Sequence, residues 1–192
     1  MVDGTARSPL APPAGTVLVL DFINTKVHGG VGTDRLGDAG SLAEWLSTAG
    51  LIGPDVVVTT ADAASARELR DALVTVLLAH SGAEDGNDEA LAAAESQLRR
   101  TASLHPLVPI ITAEGAALAS EQSGVAGALG AILAAVADAA ATDKWGRLKA
   151  CRNPPCHFGF FDRTRNASGA YCSSTCGSQV SMRALRQRRK SP

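Results

Sequence analysis

The apolar and polar positions of the chain predict a succession of short elements rather than a repeat. Thr16-Val17-Leu18-Val19-Leu20-Asp21-Phe22 is a compact apolar run rich in β-branched residues; it suits a buried strand, although so short a run also admits a helical start. The glycine-rich stretch from His28 to Gly40 reads as a loop. Ser41-Leu42-Ala43-Glu44 has the form of a capping box and predicts a helix from Leu42 to about Ala49, ended by Gly50. Asp62 is placed to cap a longer helix reaching about Ala79, with Leu69, Leu73, Val76 and Leu77 on one face and Arg67 and Arg70 on the other. From Asp88 to about Thr101, Leu91, Ala94 and Leu98 repeat the helical spacing. The two helices then form a hairpin across the polar loop from Ser81 to Gly86.

Leu107 to Thr112, Ala113-Glu114-Gly115 and Ala116 to Ala119 read as strand, turn and strand, with Pro109 on an edge. A last core helix spans about Val125 to Thr142 and leads through Trp145 into the final segment. There Val180, Met182 and Leu185 are apolar, whereas Arg183, Arg186, Arg189 and Lys190 recur at spacings of three and four. A terminal helix with one basic face follows, able to lie in a groove or along phosphates, or to remain a solvated terminus. Residues 1–15, with Pro9, Pro12 and Pro13, read as a flexible lead-in.

Length and charge divide the chain. Its 192 residues suffice for one ordinary core plus a small module, at about 100–200 residues per domain. The expected parts are the lead-in 1–15, a helical domain 16–143 and a small module 144–192. The net charge of −1 conceals a polarity: residues 144–192 hold eleven basic residues against Asp162 alone, a net +10, and residues 1–143 carry −11. A field of that size is the footprint expected of a nucleic-acid contact, or of a basic module docking on its own acidic domain. No apolar stretch reaches the ~20 residues that span a bilayer, the nearest being the Ala- and Gly-rich Gly124 to Ala141, whose glycines and Asp138 suit a packed helix, so no membrane association is expected.

The four cysteines all fall in the basic segment, as Cys151-x4-Cys156 and Cys172-x3-Cys176. Two tight turns that each supply two thiolates suit a tetrahedral zinc ion, and four thiolates leave no open position for catalysis. The first turn is held open by Pro154 and Pro155, and the second runs into a helix whose N-terminal amides favour thiolates. Two disulfides, or four unconnected buried thiols, are the alternatives. Met1 to Pro13 lacks an apolar core of useful length, so a reducing, cytoplasmic setting is expected and metal is favoured. Trp145, Phe158, Phe160, Phe161 and Tyr171 cluster in the same segment, where a module this small needs aromatics as core; Phe158 or Tyr171 stacking on bases is the rarer use.

These residues resemble the CGNR zinc-finger proteins, bacterial chains whose N-terminal part is the ABATE domain, associated by description with stress-induced transcription regulation. The resemblance covers nearly the whole chain. Its specific part is Leu148 to Cys156, which contains C-x-N-x-x-C, then Phe161-Asp162-Arg163-Thr164-Arg165-Asn166, Tyr171-Cys172-Ser173 and Cys176-Gly177. The family's L-D-F-[VI]-N-T matches Leu20-Asp21-Phe22-Ile23-Asn24-Thr25. The chain departs at Ser178-Gln179, where the family shows Asn-Arg. Gln179 can hydrogen-bond a base edge or a phosphate but supplies no charge.

The expected fold is α+β: a predominantly helical N-terminal domain with a short strand and a β-hairpin, then a treble-clef-like or ribbon-like zinc module with a basic C-terminal helix. The leading functional expectation is a DNA-binding transcription regulator in which one structural Zn2+ on Cys151, Cys156, Cys172 and Cys176 orders the module. Arg163, Arg165, Gln179, Arg183, Arg186, Arg188, Arg189 and Lys190 are the candidate nucleic-acid contacts, and the N-terminal domain would sense a small-molecule effector or bind a partner. In the alternative, the N-terminal domain is an enzyme or small-molecule binder and the zinc module is structural. Asp21, Asn24, Thr25 and His28 then form the candidate ligand pocket, since they follow a predicted buried strand. No Gly-x-Ser-x-Gly elbow, phosphate-binding loop or dinucleotide fingerprint supports catalysis.

Overall fold

The computed structural model describes residue 12 and residues 15–27, 32–82, 88–154 and 156–190. Most of the predicted lead-in, His28 and most of the Ser81–Gly86 loop lie outside the described residues. Six helices and two antiparallel hairpins make up the described fold: α1 Thr16–Ile23, α2 Ala39–Thr48, α3 Thr60–His80, α4 Asp88–Leu104, β1 Leu107–Thr112, β2 Gly115–Ser120, α5 Gly124–Ala140, β3 Leu148–Ala150, β4 Gly159–Phe161 and α6 Ser174–Lys190.

The first apolar run is a helix, not the strand its β-branched residues suggest. Thr16, Val19, Phe22 and Ile23 are its buried positions, a helical spacing, while Val17 is 74% exposed and Val19 fully buried. In a strand those two valines would share a face. Packing of this stripe against α3 and α5 overrides the weak local preference. Phe22 meets Trp45 of α2 with ring centroids 5.4 Å apart, and Asp21 accepts a 3.0 Å bond from Trp45 Nε1.

Two helix starts differ from the predicted ones. Asp38, rather than Ser41, caps α2, its Oδ1 accepting from the Ser41 amide at 2.8 Å, so the helix begins three residues earlier than predicted. Thr59 caps α3, and Asp62 is the partner three residues on: Asp62 N–H donates to Thr59 Oγ1, and Asp62 Oδ2 accepts from the Thr59 amide. In the hairpin β1–β2, Thr112 pairs with Gly115, so β2 starts one residue before the predicted strand and Ala113-Glu114 alone turn the chain.

Helix α3 is the axis of the core, burying Ala63, Ala66, Leu69, Leu73 and Leu77 among α1, α2, α5 and β3. Arg70, which the spacing assigns to the polar face, is buried instead. Its guanidinium forks onto both oxygens of Asp34, at 2.6 and 2.9 Å, and reaches Thr25 Oγ1 at 3.3 Å. Burial raises the pKa of Asp34, but the bonds from Arg70 and the Leu36 amide outweigh it and hold the carboxyl below its ordinary value.

The segment after α5 enters the same core. A 3-10 turn, Trp145–Arg147, sets Trp145 edge-on to His80, and β3 then runs along α3 with Leu148 and Ala150 fully buried. His80 Nδ1 lies 2.8 Å from the Leu148 carbonyl and Ser81 Oγ donates to that of Ala150 at 2.6 Å, so the end of α3 engages the strand's free carbonyls. On the other side, Asn24 clamps β4: its Nδ2 donates to Gly159 O at 3.0 Å and its Oδ1 accepts from Gly159 N at 2.7 Å. A Cβ on Gly159 would lie 2.1 Å from Ile23 Cδ1, so only glycine lets α1 approach this closely. Replacing Asn24 by Ala should cost about 2 kcal/mol in urea unfolding by stripping both Gly159 backbone groups of their partner, and Gly159→Ala should cost more; a loss below about 0.5 kcal/mol for both would show that the clamp is not structural.

Candidate metal centre

Four thiols converge where β3, β4 and α6 meet. Cys151 follows β3, Cys156 lies in the turn before β4, Cys172 precedes α6, and Cys176 is in its first turn. Their sulfurs all lie within 4.8 Å of one another, with Cys156 to Cys172 at 3.6 Å and Cys172 to Cys176 at 3.8 Å. A tetrahedron with Zn–S bonds of about 2.3 Å has edges of about 3.8 Å, so the spacing fits one zinc ion. None of the four is in a disulfide. A hairpin followed by a helix that carries the last ligand is the treble-clef-like member of the two expected layouts.

The first turn is shaped by its backbone. Cys151 N–H donates to Phe158 O at 2.9 Å, and Cys156 N–H to Asn153 O at 2.8 Å. The second is anchored by Ser173, whose Oγ accepts from the Cys176 amide. Asn153, 1% exposed, ties the turns together: its amide nitrogen donates to Gln179 Oε1 at 2.9 Å and to the Cys176 thiolate, and its Oδ1 accepts from Arg183. The Asn153 bond lowers the Cys176 thiol to about 7, whereas burial pushes Cys156 and Cys172 up. Thiols that resist ionisation when crowded together are the donor set a dication stabilises, because the metal supplies the missing countercharge.

A second polar centre supports the loop between β4 and Cys172. Lys149, 3% exposed, spends its three donors on Asp162 Oδ2 at 2.8 Å, Ala167 O at 2.6 Å and Gly169 O at 3.0 Å. Asp162 completes the pair by accepting from Thr164 N, Thr164 Oγ1 and Gly169 N. Burial raises the Asp162 pKa, but the Lys149, Thr164 and Gly169 bonds prevail and hold it far below the carboxylate range. By sequence Lys149 counts toward the external field; its pairing with Asp162 thirteen residues on carries no periodic signal. Arg147 is likewise turned inward, onto the carbonyls of Asp162, Thr164 and Arg165. The aromatics expected as the module's core are only partly covered, Phe158 being 39% exposed; Leu148 and Ala150 are the buried pair.

The remaining candidate contacts separate into two groups. Gln179 and Arg183 are engaged at Asn153, whereas Arg163, Arg165, Arg186, Arg188, Arg189 and Lys190 are exposed and form no ion pair among the described residues. Three residues of the candidate ligand cluster, Asp21, Asn24 and Thr25, are described, and each has partners within the fold. Asp21 holds Trp45 and faces Arg35 at 3.7 Å, Asn24 holds Gly159, and Thr25 bonds Phe22 O and receives Arg70. None of these three lines the cleft between α3, α4 and α6 or the smaller one beside β2 and α5.

Fold and site together define a helical protein closed by a four-cysteine structural zinc finger. The chain belongs to the ABATE family, described as "putative stress-induced transcription regulator", whose model matches residues 16–143, and the CGNR zinc finger matches residues 147–189. No curated protein matches the chain. No helix among the described residues is long and apolar enough to cross a membrane.

Asn153→Ala should lower zinc affinity about 10–100-fold in chelator competition, as loss of a supporting hydrogen bond to a ligand does elsewhere, with binding weakening further as acid protonates the thiolates. Lys149→Met should destabilise the fold by about 3–5 kcal/mol, since it strands the Asp162 charge. Because folding depresses the Asp162 pKa, that difference is present above the ordinary carboxylate pKa of about 4 and is lost progressively as pH falls from there through the lowered folded value, which an acid titration of wild type and variant checks.

Proposed function

We propose that the chain is a cytoplasmic, DNA-binding regulator of transcription, with residues 144–192 as the contacting module and residues 16–143 as a sensor or partner-binding domain. One observation carries the reading: six basic side chains stand exposed, without an acidic partner among the described residues, on a helix and loop that adjoin the four-cysteine cluster. Arg186, Arg188, Arg189 and Lys190 occupy the last turns of α6, where their charge also complements the helix dipole. Docking of the module on its own acidic domain would consume these charges, and none of the five ion pairs among the described residues does so. The family descriptions support the same reading.

Affinity in this proposal is dominated by phosphate. Gln179 is held by Asn153 and contributes no charge, so the helix tip offers less direct base reading than a free arginine there would. Titrating the zinc-loaded protein with duplex DNA at several salt concentrations tests it. Changing Arg186, Arg188, Arg189 and Lys190 together to Gln should weaken binding and reduce the slope of log affinity against log salt by about 3–4, at ~0.9 for each phosphate no longer neutralised. Absence of any affinity at low salt would overturn the proposal.

A further inference from the structure

We propose that the cleft between the helical hairpin and the zinc finger binds a small organic anion with a flat apolar body. The cleft encloses about 830 Å³, within the range of about 300–1,000 Å³ typical of small-molecule sites. One wall is α3 and α4, through Leu78 and Leu91; the facing wall is α6, through Val180 and Ala184, one turn of a single helix face. These side chains are only partly buried or exposed, so the apolar surface is available to a guest. Tyr171 adds an aromatic surface near the base of α6, where a Cβ on Gly177 would stand 3.4 Å from its ring.

The polar groups decide the class of guest. Arg152 and Arg183 both open on the cleft from the zinc-finger side, against a single carboxylate, Asp88, from α4. Arg183 is pre-oriented by the buried Asn153, and Arg152 is held at the first cysteine turn by its amide bond to Ala170 O. One oriented guanidinium, Arg183, and a second on an anchored backbone, Arg152, above an aliphatic and aromatic floor suit a carboxylate or sulfonate on an aromatic frame, since the fork geometry recognises such anions and the body displaces water from Leu78, Leu91 and Val180.

The cleft also touches the machinery around it. Arg183 is one hydrogen bond from Asn153, which donates to Cys176, and α6 forms an entire wall. A bound anion therefore biases the position of the basic helix. That regulatory consequence rests on the DNA-binding reading; the binding itself does not.

The probe pair is 8-anilinonaphthalene-1-sulfonate and its uncharged counterpart N-phenyl-1-naphthylamine, titrated by fluorescence into the zinc-loaded full chain without DNA. The sulfonate should saturate at one per chain and bind about tenfold more tightly than the neutral dye, the difference expected for a charge-assisted bond. Arg152→Gln should abolish that preference while leaving the neutral dye unaffected. Ala184→Trp, at an exposed helical position that tolerates the side chain, should exclude both dyes by filling the cleft, with circular dichroism and zinc content unchanged. Equal affinity for the two dyes, non-saturable binding, or indifference to both substitutions would overturn the proposal. The Arg186, Arg188, Arg189 and Lys190 variant separates the two readings: it should lose DNA and keep the sulfonate.

Discussion

Strand β3 cannot leave the core of the helical body. Leu148 and Ala150 are fully buried beside α3, and His80 and Ser81 at the end of that helix engage the strand's free carbonyls. Between these two apolar positions, Lys149 turns to the other side and bonds Asp162. One three-residue strand thus belongs at once to the hydrophobic core and to the frame of the zinc site. Apolar burial fixes where the finger begins, and the metal fixes how it closes. Structural zinc contributes on the order of 10–16 kcal/mol in small modules, comparable to the whole stability of a domain.

This continuity gives the two segments of the family a common physical logic. The Asn24 side chain at the end of α1 makes the two hydrogen bonds that a neighbouring strand would otherwise make to Gly159. The L-D-F-I-N-T motif engages the fold at several points: Leu20 and Phe22 on the core, Asp21 on Trp45, Thr25 on the Arg70 fork and Asn24 on the finger. The charge of the basic module is divided in a similar way. Lys149 and Arg147 stabilise the loop that carries Arg163 and Arg165, so internal cations hold external ones in place. The net +10 already counts the Lys149–Asp162 pair, so what these bonds take from a partner is two direct contacts and not net charge.

What is legible in the sequence follows the range of the interaction that determines it. Helices α3, α4 and α5 repeat their apolar spacing over several turns and are legible, as is the β1–β2 hairpin; the four cysteines are legible because metal turns are local in sequence. The eight residues of α1 are not, because β-branched composition and helical spacing point in opposite directions in so short a run. The start of α3 is ambiguous because Thr59 and Asp62 form a reciprocal pair and either alone reads as a cap. Burial of Arg70 depends on Asp34 and Thr25, and the role of Asn24 on a backbone 135 residues away, neither of which leaves a periodic trace. A polar cluster after an apolar run looks alike in sequence whether it binds a guest or a distant strand.

The departure at Ser178-Gln179 follows the same logic of paired donors and acceptors. Asn153 has two N–H groups and one carbonyl oxygen to place inside the cysteine turns, and it gives the N–H groups to Cys176 and Gln179 and the oxygen to Arg183. Gln179 completes this arrangement because its amide oxygen accepts. An arginine at that position has no acceptor, so one Asn153 N–H would lose its partner, or the amide would turn its oxygen toward residue 179 and its nitrogen away from the zinc ligand. The neutral residue at the helix tip thus removes a charge from the outer surface and at the same time stabilises the orientation in which Asn153 supports the Cys176 thiolate. In this chain glutamine at 179 satisfies the Asn153 amide beside the cysteine turns, and Arg183, bound to the oxygen of the same amide, opens on the cleft.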